Sequence, residues 1–170
     1  AAAAVVLRFD WPALRTDVWR FTTELRRRGG GGGGGGAADE GGAPTAVGVG
    51  HCTVHTVATL LDNYAYLIVD GATRRAGVVD PVDPDLVLRA LRDVSDRHYD
   101  SAPLELEAIL TTHKHWDHAG GNVELRRKCP SVTRVYGGVQ DAVAGMTHPV
   151  VDGDVVRIGS LRIRAMHTPC

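Results

Sequence analysis

From about residue 53 onward, hydrophobic and polar positions fall into short runs whose period switches between two residues and three to four. Val54–Leu60 and Tyr64–Asp70 read as two strands joined by the turn Leu61-Asp62-Asn63, and Gly77–Asp80 as a third, short and apolar. Asp83 and Pro84 then open a helix, a capping acid followed by a proline in the first turn. Leu86, Leu88, Ala90, Leu91 and Val94 supply its apolar face. Leu106–Thr112 reads as a buried strand, Asn122–Lys128 as a short helix stopped by Pro130, and Val132–Tyr136 as another strand. Val155–Ile158 and Leu161–Met166 flank Gly159-Ser160 as a hairpin with Arg162 and Arg164 on one face. Strands interleaved with helices predict an α/β class with mixed strand directions.

The first 52 residues read differently. Leu14, Val18, Phe21 and Leu25 recur at helical spacing, which predicts a basic amphipathic extension over residues 1–28. Its six arginines stand against Asp10, Asp17 and Glu24, and Arg26–Arg28 form a solvated helix end. A targeting peptide is only half matched, because serine is absent and three acids are present. Residues 29–52 begin with Gly29–Gly36 and predict a flexible linker. That run is not a phosphate-binding loop, since no Gly-Lys-Ser/Thr follows it. Residues 53–170 are left as the domain that carries chemistry.

Composition narrows the function classes. With 170 residues, 44% hydrophobic and 23% charged, the chain can bury one core. A formal charge of −1 gives no support to nucleic-acid binding. Cys52, Cys129 and Cys170 are odd in number and far apart, which points to a reducing compartment, cytoplasmic or mitochondrial. No apolar run reaches the roughly 18–20 residues of a membrane-spanning helix.

One tract outweighs the rest: Thr111-Thr112-His113-Lys114-His115-Trp116-Asp117-His118-Ala119-Gly120-Gly121-Asn122. Three histidines and an aspartate fall within six residues at the end of an apolar strand. In extended backbone His113 and His115 point the same way and can reach one metal. Asp117 and His118 lie on the following turn and can serve a second ion. Imidazole and carboxylate donors suit zinc, iron or manganese. Gly120 and Gly121 allow a tight turn into a helix that Asn122 can cap. His51, His55 and His98 read as structural or solvated, His148 as a loop residue, and Trp116 as packing beneath the loop.

The H-x-H-x-D-H pattern is the signature of the metallo-β-lactamase superfamily, and T-H-K-H-W-D-H-A-G-G-N resembles its glyoxalase II (hydroxyacylglutathione hydrolase) branch. Leu61-Asp62-Asn63-Tyr64-Ala65-Tyr66 looks like that branch's D-N-Y-x-Y strand entry. Val79-Asp80-Pro81 resembles the superfamily's first motif, which implies that Asp80 orders the loops beside the metals. The resemblance covers roughly residues 53–170. It implies an αββα sandwich, first half only, preceded by the low-complexity extension. It also implies two divalent metals (zinc, or iron or manganese), held by His113 and His115 and by Asp117 and His118. The implied reaction is hydrolysis of a small-molecule glutathione thioester, S-D-lactoylglutathione, to glutathione and D-lactate. Substrate-binding residues are not identified, and neither nucleic acid nor a membrane span is implied.

The family continues with T-P-C/G-H-T-x-G-H, whose first histidine completes the first ligand set. Here Met166-His167-Thr168-Pro169-Cys170 stops one residue short, so a fragment is expected. His167 lies three positions too early to substitute, and Cys170 reads as a spectator thiol. An inner sheet face lined by Leu67, Val69, Val78, Ile109 and Val135 is expected to lack its partner layer. Two rival readings are a non-catalytic fragment or degenerate homologue acting through protein partners, and a mononuclear-iron glutathione persulfide dioxygenase. The Trp116 and Gly-Gly-Asn context argues against the latter. A superfamily nuclease is disfavoured by the balanced charge.

Overall fold

The structure, a computed structural model, describes residues 2–6, 17–26, 46–49 and 51–169, with side chains over 51–168. The larger of its two sheets has the order β3-β4-β5-β6-β7-β8-β9. These strands are β3 (Ala46–Val49), β4 (Cys52–Thr59), β5 (Asn63–Asp70), β6 (Arg75–Val79), β7 (Glu105–Leu110), β8 (Arg134–Gly138) and β9 (His148–Val150). The β3–β6 half is antiparallel, whereas β6, β7, β8 and β9 run parallel. The smaller sheet, order β1-β2-β11-β10, joins β1 (Ala2–Val6), β2 (Asp17–Arg26), β10 (Val155–Ile158) and β11 (Leu161–Pro169), all antiparallel.

The first crossover carries α1 (Pro84–His98), whose start follows from its cap: Asp83 Oδ1 accepts the Leu86 N–H at 2.9 Å. The second carries α2 (Trp116–Ala119) and α3 (Asn122–Lys128). Along each central strand alternate residues divide between two cores. Leu67, Val69, Val78, Ile109 and Val135 pack with Val87, Leu91 and Val94 of α1 and Leu125 of α3. Ile68, Val79, Ala108, Leu110 and Tyr136 pack with Val156, Ile158, Leu161, Ile163 and Ala165 of the β10–β11 hairpin.

This corrects the expected facing of the sheet. The five residues expected on a bare inner face meet the helices instead, and the opposite face is covered by the second sheet. Period-two alternation separates the faces of a strand but does not say which one a helix will cover.

Three further expectations change. Residues 17–26, expected as part of a helix, form β2 and pair with β11 from Pro169↔Asp17 to Ile163↔Thr23. Val18, Trp19, Phe21, Thr22 and Thr23 are β-branched or aromatic, and an open strand partner outweighs the four helically spaced positions. The stretch read as linker through residue 52 includes β3, whose Val47 and Val49 pair with β4, while Cys52 opens β4 itself. The glycine run, Arg27, Arg28 and Cys170 lie outside the described residues. His148, expected in a loop, begins β9, a three-residue edge strand in which Pro149 is tolerated.

Candidate metal centre

The site lies at the C-terminal ends of the parallel strands β6 and β7, where crossovers leave the sheet and open α/β sheets bind their ligands. Asp80 directly follows β6 in the left-handed region, with φ 50°, a costly conformation for a residue with a Cβ. Its backbone is held there by Asp80 N–H to Leu110 O at 3.1 Å and Val82 N–H to Asp80 O at 2.9 Å. The carboxylate is buried and fully used. Oδ1 accepts the Thr112 N–H at 2.8 Å, and Oδ2 accepts the Thr112 hydroxyl at 2.6 Å. Oδ2 also meets His118 Nδ1 at 2.9 Å.

This network assigns the histidine tautomers. Thr112 spends its proton on Asp80, so its oxygen accepts from His113 Nδ1 at 3.1 Å and His113 Nε2 keeps its lone pair. His118 donates Nδ1–H to Asp80. His113 Nε2 lies 3.1 Å from His115 Nδ1, and His118 Nε2 lies 3.4 Å from Asp117 Oδ2. The rings of His113 and His118 are 4.1 Å apart, and those of His113 and His115 are 4.7 Å apart. All four tract residues and Asp80 thus gather at one place. Burial lowers the pKa of His113, as does the neighbouring His118. For His118 burial works against protonation, but the hydrogen bond and charge of Asp80 outweigh it and raise the pKa.

Asp117 is positioned from outside the tract. Asn63, the first residue of β5, donates from Nδ2 to the Asp117 carbonyl at 2.9 Å and to Oδ2 at 3.1 Å. Burial opposes ionisation of Asp117, but the Asn63 hydrogen bond and the adjacent imidazoles hold its pKa below the ordinary range. Gly121 is buried, and a Cβ there would run into the Pro81 carbonyl oxygen, so α3 can approach the 80–82 turn only with glycine. Two expectations are corrected. Asn122 does not cap α3: Gly121 is the N-cap, and the buried Asn122 donates to Thr111 Oγ1 and the Ala144 carbonyl, both at 3.0 Å. Trp116 does not pack beneath the loop but is 70% exposed.

The donors fit a divalent cation in chemistry. Two ligands at about 2.0–2.1 Å on a tetrahedral ion stand about 3.3 Å apart, close to the 3.1 and 3.4 Å of the two pairs. Asp80 stands behind His118, where a carboxylate can orient an imidazole. As the side chains stand, no three His, Cys, Asp or Glu among the described residues are arranged to hold a metal. His113 and His115 are instead hydrogen-bonded to each other.

The remaining histidines lie apart from this cluster. His51 faces Asp70 at 3.7 Å, and His148 stacks on Tyr136. His55 is buried against His98. On β11, the His167 N–H donates to Asp152 Oδ1 at 2.9 Å. The sequence reading missed Thr112, Asn63 and Asp141, whose contacts depend on the fold. For Asn63 the only local signal was its place in the Asp-Asn-Tyr strand entry.

The family description "Metallo-beta-lactamase superfamily" matches residues 58–145, a range that contains the whole cluster. The cytoplasmic hydroxyacylglutathione hydrolase of Arabidopsis thaliana is 44% identical over 115 residues, covering 67% of this chain and 41% of that protein. A Schizosaccharomyces pombe protein named as a probable hydroxyacylglutathione hydrolase is 42% identical over 109 residues, covering 64% of this chain and 40% of its own length. The chain therefore spans about two fifths of the curated relatives it matches. The fold is similar to the crystal structure of a metallo-beta-lactamase from Staphylococcus aureus subsp. aureus COL, with a TM-score of 0.55 and 24% identity over 69% of this chain and 35% of that one. Sequence motif, sheet order and family match agree, and this chain belongs to the metallo-beta-lactamase superfamily.

Proposed function

We propose that this chain carries the metal-ligating half of a glutathione thioester hydrolase acting on S-D-lactoylglutathione, with water, glutathione and D-lactate completing the balance. The reading rests on its likeness to hydroxyacylglutathione hydrolases. The observation that carries it is the convergence of donor atoms in the cluster, His113 Nε2 3.1 Å from His115 Nδ1 and His118 Nε2 3.4 Å from Asp117 Oδ2. His113 and His115 would hold one divalent cation, and Asp117 and His118 a second. Two such cations, when bound, lower the pKa of water and polarise the thioester carbonyl. The chain's own part is to aim those donors. Asp80 takes the Thr112 hydroxyl and His118 Nδ1, which turns His118 Nε2 toward Asp117, and Asn63 fixes the Asp117 carboxylate. The leaving thiol needs no strong protein acid. Three widely spaced cysteines favour a reducing compartment, cytoplasm or mitochondrion.

The test has two arms. The 170 residues by themselves are expected to retain fewer than two equivalents of zinc after dialysis against a weak chelator, because four side chains fill two shells incompletely. Two tightly retained zinc ions per chain would contradict the ligand assignment. In a protein carrying this chain through the full length of its relatives, His115→Ala or Asp117→Ala is expected nearly to abolish lactoylglutathione hydrolysis. Ordinary turnover in either variant overturns the proposal.

A further inference from the structure

The peptide between His113 and His115 has an anchor of its own. The Lys114 N–H donates to Asp141 Oδ2 at 2.7 Å, and Lys114 Nζ lies 3.8 Å from Oδ1 of the same carboxylate. Asp141 belongs to the connection between β8 and β9, far from the tract in sequence, and is only 8% exposed. It is itself held, through its N–H to Gly138 O at 2.9 Å and its carbonyl accepting the Val143 N–H at 2.8 Å. A buried carboxylate that accepts a backbone amide at this distance makes a strong, directional bond.

The pinned N–H matters because of its place. The peptide group is planar, so fixing the Lys114 N–H fixes the unit that joins His113 to Lys114. Neighbouring amides of the same loop are held by other segments: Thr111 N–H by Tyr136 O at 2.9 Å, and Thr112 N–H by Asp80 Oδ1 at 2.8 Å. The Lys114 anchor is the one that falls between the two imidazoles.

Building on the metal reading above, we infer that Asp141 is a positioning residue that sets the spacing of His113 and His115 by clamping the Lys114 peptide. It touches neither imidazole and acts through the backbone. The backbone bonds to Gly138 and Val143 keep Asp141 in place, while its acceptor oxygen does the positioning.

The test compares Asp141→Ala, which removes the acceptor, with Asp141→Asn, which keeps one. Thr147→Ala serves as control: Thr147 Oγ1 accepts the Val135 N–H at 2.9 Å in the same connection, so its loss loosens the segment without touching Lys114. Two readouts are taken on the 170-residue chain. In the metal-free protein, amide exchange at Lys114 and the nitrogen resonances of the His113 and His115 rings report the clamp directly. Asp141→Ala is expected to speed Lys114 exchange and remove the His113–His115 hydrogen bond, with Asp141→Asn and Thr147→Ala retaining both. In a titration with cobalt(II) chloride alone, Asp141→Ala is expected to weaken binding about 10- to 100-fold, the range for partners behind metal ligands. Asp141→Asn should recover most of that loss.

Cobalt affinity and ring resonances unchanged in Asp141→Ala would overturn the inference and leave the metal reading standing. So would a loss in Thr147→Ala equal to that in Asp141→Ala, since general loosening would then explain both. If the unsubstituted chain takes up no cobalt, the metal reading falls. The clamp then stands or falls on the exchange and ring measurements.

Discussion

At the scale of single residues, close approach and burial decide more than charge. Gly121 has an ordinary φ of −87°, so steric room and not backbone freedom demands glycine. Gly121→Ala is expected to push the start of α3 off the Pro81 and Val82 carbonyls at a cost of about 1–3 kcal/mol, the usual range for overpacking. A urea melt measures it, and a variant as stable as the parent would mean that the 80–82 turn yields freely. His55 is a different case. Its ring is buried, accepts or donates at Nε2 to Thr53 Oγ1 at 2.9 Å, and stacks 5.2 Å from His98. Burial, with help from His98, pushes its pKa down from 6.5 to about 4. The unfolded chain therefore binds the proton first. Stability from this group is fully present above pH 6.5 and is lost as pH falls toward 4, amounting to at most about 3 kcal/mol. His55→Gln is expected to flatten that part of the stability–pH curve. An unchanged slope would exclude His55 as its source.

At the scale of elements, the β10–β11 hairpin is the lid of the second core. Ile158 is fully buried, and its Cδ1 occupies the space over Gly77 of β6 where a side chain would otherwise stand. Ile158→Ala is expected to cost about 2–5 kcal/mol in a denaturant melt, as for a large-to-small change in a closed core. A loss under about 1 kcal/mol would mean the hairpin contributes little to covering the sheet. The hairpin, α1, α3 and the central strands were legible in the sequence because each has a local signature. Asp83-Pro84 marks a helix start, Pro130 a stop, and Gly159-Ser160 a turn. β2 was not, because Leu14, Val18, Phe21 and Leu25 keep helical spacing while its partner β11 lies more than a hundred residues away. β9 is too short to show a period. The histidine–aspartate tract was legible as a string, but the contacts of Asn63 and Asp141 with it were not, since each meets it only through the fold.

At the scale of the molecule, the two sheets are riveted at the hairpin turn. Asp70, at the end of β5, accepts from Ser160 N–H at 2.6 Å and Ser160 Oγ at 2.7 Å. It also accepts from Thr73 Oγ1 at 2.7 Å and from Ala72 N–H at 3.1 Å. Gly159 beside it has φ +55°, and a Cβ there would strike Thr73 Oγ1. Burial alone would raise the Asp70 pKa, but these hydrogen bonds from Thr73, Ser160 and Ala72 prevail and hold it below the usual 3.8. The sign is that of a stabilised carboxylate: its contribution is present above pH 3.8 and disappears as pH falls through the lowered value. Asp70→Asn is expected to destabilise the chain at neutral pH and to remove this acid-side loss. A variant that keeps the same steep loss below pH 3.8 would assign it to another carboxylate.

The parallel run β6-β7-β8 also has a consequence in time. Antiparallel neighbours such as β4 and β5 can zip from a tight turn, but parallel strands meet only after a crossover has closed, and such distant pairings form slowly. Asn63, Asp80, the 111–122 tract and Asp141 stand on both sides of those crossovers. On a growing chain the histidines therefore emerge before Asp141 can reach them, and the cluster assembles only after the crossovers have closed. Until then His113 and His115 are two ordinary imidazoles on a loose strand end, with no fixed spacing to offer a cation.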